Sequence, residues 1–202
     1  RIFSDEFLKL LSDFKFCCDI DAIPEGTVVG PHVPLLRGRG PVWQLQLIEG
    51  AILNFINRQT GVMTRAARIV CAAGDNPISD QSLRRSPGVD GGLSDTLACY
   101  KAGFTSTSNE LASYVFGIPA AGTMAHSYVM FYDDEIKAFL NFAEAFPNNA
   151  LFLVDTYDTI QGVKNAATVA TQLKSRGVKT VGIRIDSGDL AYLSINARKI
   201  LD

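Results

Sequence analysis

The sequence has little of several features that mark particular classes of protein. Its formal net charge is only −2 at pH 7, which indicates no basic surface for nucleic acid or for an anionic membrane. No apolar run is long enough to cross a bilayer, and no signal-peptide pattern occurs at the start. The four cysteines include no CxxC pair, which disfavours a zinc site or a disulfide framework and favours a reducing, cytoplasmic location.

The common catalytic and nucleotide-binding motifs are also missing: there is no P-loop, GxGxxG, HExxH or GxSxG pattern. What remains is a composition of 47% hydrophobic and 20% charged residues, typical of a compact α/β protein. The 202 residues suffice for one large domain or two small ones. Because the chain opens at Arg1 rather than at a methionine, we expect it to be an internal part of a longer protein.

The first 75 residues combine helical periodicity with short extended segments. Residues 2–20 predict a helix that runs into an extended stretch. Residues 27–29 and 33–36 are β-type segments between turns rich in glycine and proline. An apolar face predicts a long helical region over residues 42–73, with a break near residues 59–61.

From residue 76 onward, short apolar runs that end in polar residues alternate with amphipathic helices. The runs predict strands over residues 78–83, 102–104, 118–124, 150–154 and 178–185. Helices are predicted between or after them, over residues 134–146, 162–176 and 190–201. Such alternation implies parallel strands joined by right-handed crossovers, and ligands in these folds bind beyond the carboxyl ends of the strands. The pattern favours an open-topped α/β barrel with an active site.

The predicted strand ends carry polar side chains suited to binding anions. Arg84 and Arg85 follow the first strand, and an arginine fork binds carboxylate or phosphate through two hydrogen bonds. Neighbouring residues on a strand point in opposite directions, so one of the two is expected to face the site. A surface ion pair remains the alternative for either arginine, and helix capping remains the alternative for Asp155 and Asp189.

One of the two histidines, His126, closes the run GTMAHS after an apolar stretch, and we interpret this as the polar tip of a buried strand. An imidazole titrates near neutrality, so this position suits proton transfer or covalent chemistry. The small neighbours Gly122, Thr123 and Ser127 leave space for a ligand. A core histidine with a hydrogen-bond partner is the alternative.

Arg184 lies inside an otherwise apolar strand, where a charge is costly unless it is paired. Strand alternation places Arg184 and Asp186 on the same side, so the arginine has either an aspartate partner or an anionic ligand. Asp155 and Asp186 are suited to hold ribose hydroxyls, or a Mg²⁺ ion carried by a diphosphate. The residues by themselves therefore predict an anionic, phosphorylated, ribose-like ligand beside a histidine.

Several motifs, taken together and in order, resemble those of the nicotinate phosphoribosyltransferases. They are LRR at residues 83–85, TSN at 107–109, GTMAHS at 122–127, LVDTYDT at 153–159 and RIDSGDL at 184–190. The resemblance covers nearly the whole chain. It implies an irregular, TIM-like α/β barrel with a smaller α/β sandwich domain, both incomplete in this chain. Residues 1–75 would belong to the sandwich and its connecting helices, and residues 76–202 to the barrel.

The resemblance also implies a reaction and its participants. Nicotinate and 5-phosphoribosyl 1-diphosphate would give nicotinate mononucleotide and diphosphate, a step in NAD biosynthesis coupled to ATP hydrolysis. Mg²⁺ would accompany the phosphoribosyl diphosphate, and the enzyme would be a cytoplasmic homodimer. His126 would be the residue that ATP phosphorylates. Asp155, Asp186 and Arg184 would face the phosphoribosyl diphosphate.

A second group of residues would contact nicotinate. The resemblance places Arg84 and Thr123 against nicotinate, and it makes Gly122 and Ser127 substrate-binding residues as well. Relatives that use nicotinamide carry an aspartate where Ser108 aligns, and a carboxylate there accepts hydrogen bonds from an amide NH₂ group. A hydroxyl does not repel a carboxylate, so Ser108 favours nicotinate.

Two competing interpretations remain. Quinolinate phosphoribosyltransferase shares the long helix, but it needs no histidine phosphate and binds a second carboxylate. A non-catalytic homologue that serves as an assembly module is the other, although such a scaffold has no physical need for Arg84, His126, Asp155 and Asp186. Because 202 residues cannot close the barrel, we expect this chain alone to be inactive.

Overall fold

A computed structural model describes residues 2–178 and 181–202, which divide into two units. The first unit extends to Ala121 and the second comprises Gly122–Asp202. The elements of the first unit are α1 (Asp5–Ser12), β1 (Asp19–Ala22), β2 (Leu36–Arg39), α2 (Val42–Ala73), β3 (Ser79–Asp80), a 3₁₀ turn (Leu83–Arg85), α3 (Gly88–Lys101), β4 (Ser106–Thr107) and α4 (Glu110–Phe116). Those of the second are α5 (His126–Met130), α6 (Glu135–Ala145), β5 (Ala150–Leu153), α7 (Thr159–Ser175), β6 (Val181–Arg184) and α8 (Leu190–Leu201).

The first unit begins with an antiparallel hairpin that leads into the long helix α2. β1 pairs with β2 in the register Asp19↔Arg39 to Ala22↔Leu36. The strand expected over residues 27–29 is wrong, and the one expected over residues 33–36 forms only at its last residue, because the stretch before Leu36 is irregular. The break expected near residues 59–61 is wrong as well: α2 runs through Gly61 without interruption, since a single glycine costs a helix only about 1 kcal/mol.

The remainder of the first unit packs against α2 through a small apolar core. Ala66 of α2, Cys99 of α3 and Phe104 are each less than one-tenth exposed and contact one another. β3 and β4 form a short parallel pair, and Thr107 makes a further parallel bridge to Ala120. That bridge is all that forms of the strand expected over residues 118–124.

The second unit is a parallel β–α–β arrangement with helices packed around it. β5 pairs with β6 in parallel, in the register Ala150↔Val181 to Leu153↔Arg184, and α7 is the crossover between them. The rings of Phe139 in α6 and Phe152 in β5 stack with centroids 4.9 Å apart, and both side chains are fully buried. Burying a side chain of this size stabilises the fold by about 2–3 kcal/mol, so this contact fixes α6 on the sheet.

The α/β class expected from the alternating pattern is confirmed by these parallel pairs. The irregular barrel, the sandwich domain and the boundary between residues 75 and 76 stay predictions. Among the helices that the structure describes, none combines the length and the apolar character needed to cross a membrane.

Candidate functional site

The candidate site lies where the two parallel strands of the second unit end. Asp155 follows β5 by two residues and Asp186 follows β6 by two residues, so neighbouring strands bring both carboxylates to one edge. Asp155 Oδ2 accepts hydrogen bonds from the backbone N–H of Asp186 at 2.9 Å and from the Ser187 hydroxyl at 2.6 Å. The Asp155 side chain is 1% exposed. It therefore holds the segment after β6 in place and does not cap a helix, because α7 is capped by Asp158.

The other oxygen of this buried carboxylate is oriented towards the histidine. Asp155 Oδ1 has no hydrogen-bond partner within the described residues and lies 3.9 Å from His126 Nε2. Asp186 Oδ2 lies 3.7 Å from the same nitrogen. Leaving a buried carboxylate oxygen without a donor is costly, and a ligand-binding site is where such a cost is expected.

His126 is positioned by a helix start rather than by a strand end. It is the first residue of α5, preceded by Ala125 in extended conformation, so the strand tip expected here is wrong. The chain enters a helix at His126, and the residues just before it do not continue as a paired strand. The imidazole Nδ1 lies 3.1 Å from the Thr156 hydroxyl, and the side chain is 39% exposed.

The surroundings of the ring favour one tautomer. Two carboxylates face Nε2, so a proton on Nε2 is electrostatically favoured over one on Nδ1. Nδ1 then keeps its lone pair and accepts a hydrogen bond from the Thr156 hydroxyl. Nδ1 becomes available as a nucleophile once the Thr156 hydroxyl turns its proton away from that nitrogen, and the carboxylates then stabilise the positive charge that builds up on the ring.

Arg184 completes the cluster from the end of β6. Its Nη2 pairs with Asp186 Oδ1 at 2.7 Å, which confirms that strand alternation places the two residues on one side. Its Nη1 donates to the Thr123 hydroxyl. The Arg184 side chain is 25% exposed, so it is partly accessible to solvent. The second unit therefore brings together five of the residues predicted for the site: Thr123, His126, Asp155, Arg184 and Asp186.

Gly122 and Ser127 flank this cluster along the chain, and both are exposed. A Cβ at Gly122 would have no atom within 4 Å, so the space beside it is open. The Ser127 side chain forms no hydrogen bond in the described part of the chain. Their roles in substrate binding stay predictions.

Arg84 and Ser108 belong to the first unit. The strand expected over residues 78–83 ends at Asp80, and Arg84 and Arg85 lie on the 3₁₀ turn, so the argument from strand alternation does not apply to them. Both arginines are exposed, and neither forms an ion pair with any residue that the structure describes. Ser108 donates both its N–H and its hydroxyl to the backbone oxygen of Asp80, at 2.9 and 3.2 Å.

Sequence reasoning missed several residues that shape these sites. Thr156 has no predicted role beyond its place in the LVDTYDT motif, yet its hydroxyl orients His126. Ser187 holds Asp155, and Asp80 anchors Ser108. A hydroxyl directly after Asp155 and another directly after Asp186 were the available signals, because residues that follow paired aspartates at neighbouring strand ends lie close to the same site.

The comparisons with known proteins give a consistent result. The N-terminal domain model of nicotinate phosphoribosyltransferase (NAPRTase) matches residues 1–57. A nicotinate phosphoribosyltransferase of Mycobacterium tuberculosis is 43% identical over 99% of this chain and 43% of its own length. The enzyme of the same name from Bacillus subtilis is 43% identical over 90% of this chain and 37% of its own length.

Solved structures resemble the chain as well. The crystal structure of human nicotinic acid phosphoribosyltransferase superposes with a TM-score of 0.84 and 31% identity, over 98% of this chain and 49% of that one. That of the nicotinate-nucleotide pyrophosphorylase from Pyrococcus furiosus gives a TM-score of 0.78 and 26% identity, over 91% and 48%. The chain spans less than half the length of the curated relatives it matches. Along that span, the motifs, the fold and the relatives agree that the chain belongs to the nicotinate phosphoribosyltransferase family.

Proposed function

We propose that the full-length protein containing this chain transfers a phosphoribosyl group to nicotinate. The substrates are nicotinate and 5-phosphoribosyl 1-diphosphate, and the products are nicotinate mononucleotide and diphosphate. The observation that carries the proposal is the cluster at the ends of β5 and β6, in which His126 lies within ion-pair distance of two aspartates and Arg184 pairs with one of them. The names of the relatives at 43% identity support the same reaction.

In the proposed transfer, the pyridine nitrogen forms a bond to ribose C1 as the bond from C1 to the diphosphate oxygen breaks. The electron pair of the breaking bond leaves with the diphosphate, and the ribose becomes cationic in the transition state. Protein groups therefore act mainly by positioning the reactants and by stabilising charge. Asp155 and Asp186 suit the cationic sugar and its hydroxyls, and Arg184 suits the anionic diphosphate.

Mg²⁺, which we propose to accompany the diphosphate, fits the donor set of this site. Hard cations take carboxylate oxygens as ligands, and the buried Asp155 Oδ1 lacks a hydrogen-bond partner among the described residues. Asp155 and Asp186 are the residues that would hold it, and the ion would neutralise charge on the leaving diphosphate.

We further propose that ATP phosphorylates His126. Nδ1 attacks the γ-phosphorus, the bond to the ADP oxygen breaks, and water later releases phosphate from the ring. The transfer of the ribosyl group itself requires no nucleophilic imidazole, and a phosphohistidine explains why one lies in the site. Asp155 and Asp186 near Nε2 stabilise the positive charge on the ring during this step.

The substrate is tested by competition in the full-length protein. With 5-phosphoribosyl 1-diphosphate and equal concentrations of nicotinate, nicotinamide and quinolinate, we expect nicotinate mononucleotide as the main product. If nicotinamide gives the main product, Ser108 does not select for nicotinate. To donate to the nicotinate carboxylate, the Ser108 hydroxyl must rotate away from the Asp80 carbonyl. If only quinolinate gives a product, the protein is a quinolinate phosphoribosyltransferase and the proposal is wrong.

The cytoplasmic location and the homodimer are proposals as well. All four cysteines are free in the described residues, which is consistent with a reducing compartment. The oligomeric state is measured directly by light scattering of the full-length protein during size-exclusion chromatography, where we expect the mass of a dimer.

A further inference from the structure

Asp80 is a buried carboxylate in the first unit that takes no part in the reaction as proposed above. It ends β3 and is 3% exposed. Its carboxylate accepts three hydrogen bonds, from Ser82 N–H at 2.9 Å and from the hydroxyls of Thr96 and Thr107 at 2.7 and 3.2 Å. No arginine or lysine pairs with it within the described residues, so three neutral donors stabilise this charge.

The hydrogen bonds of Asp80 reach two segments that carry proposed nicotinate contacts. Through its carboxylate, Asp80 fixes Ser82 N–H immediately before the 3₁₀ turn that carries Arg84. Through its backbone oxygen, it accepts both the N–H and the hydroxyl of Ser108. Asp80 thus connects the turn that carries Arg84 with the loop that carries Ser108.

The far end of the same turn is held by a second buried aspartate. Asp95 accepts a hydrogen bond from the Ser86 hydroxyl at 2.7 Å and pairs with Arg58 through both of its oxygens, at 3.0 and 2.5 Å. Leu83, at the start of the turn, packs on Gly92 so closely that a Cβ there would lie 2.6 Å from its methyl group. The turn is therefore fixed on both sides, while Arg84 forms no ion pair with the residues that the structure describes.

A buried carboxylate is an expensive way to hold a turn, because a well-packed apolar residue usually stabilises a core at least as well. Its advantage is directional: hydrogen bonds from three donors fix distances and angles that apolar packing leaves free. We propose that Asp80 is a positioning residue for recognition of the substrate carboxylate, setting the geometry of Arg84 relative to Ser108. This inference rests on the proposed function.

The test uses the full-length protein and the Asp80→Asn variant, which keeps the shape but removes the acceptor-only carboxylate. We expect the KM for nicotinate to rise about tenfold, whereas kcat and the KM for 5-phosphoribosyl 1-diphosphate change less than about twofold. Cys99→Ala is the matched control, because it perturbs the small core of the same unit and leaves the hydrogen bonds of Asp80 intact. We expect that control to leave both KM values unchanged.

A purely structural role predicts a different result, in which the fraction of active protein and hence kcat falls while the KM for nicotinate stays constant. That result overturns the inference. If Asp80→Asn does not fold, Thr96→Val decides, since it removes only one donor to the carboxylate and is nearly isosteric. A native melting temperature with a raised nicotinate KM supports the inference, and a native melting temperature with an unchanged KM overturns it.

The two proposals fail in distinguishable ways. A wild-type protein that forms no nicotinate mononucleotide overturns the proposed function together with this inference. A wild-type protein that forms it, but whose Asp80→Asn and Thr96→Val variants show the wild-type KM for nicotinate, overturns the inference alone.

Discussion

Two helical glycines predict opposite effects for the same substitution. In α7, a Cβ added to Gly162 would lie 2.1 Å from the backbone oxygen of Val154 and 2.9 Å from its carbonyl carbon. In α2, a Cβ added to Gly61 would have no atom within 4 Å. Gly162 thus allows the first turn of α7 to pack directly on the backbone of Val154, immediately before Asp155. Gly61 permits no close contact of this kind.

The magnitudes follow from the contacts. Gly→Ala in an exposed helix interior stabilises by about 1 kcal/mol, which is the whole expected effect at Gly61. At Gly162 the same gain is opposed by overpacking, which costs about 1–3 kcal/mol and occasionally more. The clash is with backbone, and Val154 cannot retreat easily because it is fully buried and donates its N–H to Arg184 at 3.1 Å. We therefore expect a net loss of about 2 kcal/mol for Gly162→Ala.

Thermal unfolding of the full-length protein measures both effects. At about 2–4 °C per kcal/mol for a domain of this size, we expect Gly162→Ala to lower the melting temperature by about 4–8 °C. Gly61→Ala is the matched control and should raise it by about 2–4 °C. Gly162→Ala should also reduce phosphoribosyl transfer, because moving Val154 displaces Asp155. A Gly162→Ala protein as stable and as active as wild type would refute the close packing of α7 on β5.

Two further predictions concern buried carboxyl groups. Burial acts to raise the pKa of Asp95, but hydrogen bonds from Arg58 and Ser86 outweigh it and the pKa is lowered, so this stabilisation is present at neutral pH and is lost as the pH falls through the lowered value. Arg58→Leu should therefore destabilise the fold at pH 7, because it leaves the buried Asp95 carboxylate without its cation, and by less than the loss of a fully buried pair because Arg58 is 47% exposed. It should also move acid unfolding in a pH titration to higher pH, and an unchanged midpoint contradicts this. Burial raises the pKa of Glu135 despite the hydrogen bond from Asn165, so its ionisation destabilises the fold as the pH rises through the raised value. Glu135→Gln should raise the melting temperature at pH 7 and leave it unchanged at pH 3, and equal effects at both values would refute the assignment.

The sequence predicted the second unit well because its signals are local and repeated. The helices expected over residues 134–146, 162–176 and 190–201 form with boundaries shifted by three residues or fewer. Apolar runs that precede Asp155 and Asp186 predict two parallel strands, and strands form within both runs, over Ala150–Leu153 and Val181–Arg184; residues 179 and 180 of the second run lie outside the described residues. Parallel pairing then brings the two aspartates together, which the alternation of elements was sufficient to anticipate.

His126 shows what the pattern could not provide. An apolar run followed by a histidine is compatible with a strand end or with a helix start, and the choice depends on which segment pairs with the run. Among the described residues, the bridge between Ala120 and Thr107 is the only strand pairing that this run makes, so the chain leaves the sheet and begins α5 at His126. The histidine still reaches the two aspartates, but its orientation comes from Thr156, a contact between residues thirty positions apart.

The hydrogen-bond network around Asp80 could not be predicted from the sequence, for a similar reason. Its partners Thr96 and Thr107 are separated from it by 16 and 27 positions and belong to different elements. Periodicity describes which face of an element is apolar, and it contains no information about which buried hydroxyls meet across elements. The 3₁₀ turn that carries Arg84 overrules the extended preference of the segment through a local hydrogen bond from Ser82 N–H to Asp80 at one end and a hydrogen bond from Ser86 to Asp95 of α3 at the other.

The central claim is that His126 is the phosphoryl acceptor of this site, and incubation with γ-labelled ATP tests it most directly. We expect the full-length protein to incorporate label that is stable in alkali and labile in acid, on a peptide that contains His126. His126→Ala should abolish the label. His32→Asn is the control for the second histidine and tolerates the positive φ of 62° at that position, so it should label like wild type. A wild-type protein that acquires no label, or a label that persists in His126→Ala, would contradict the account.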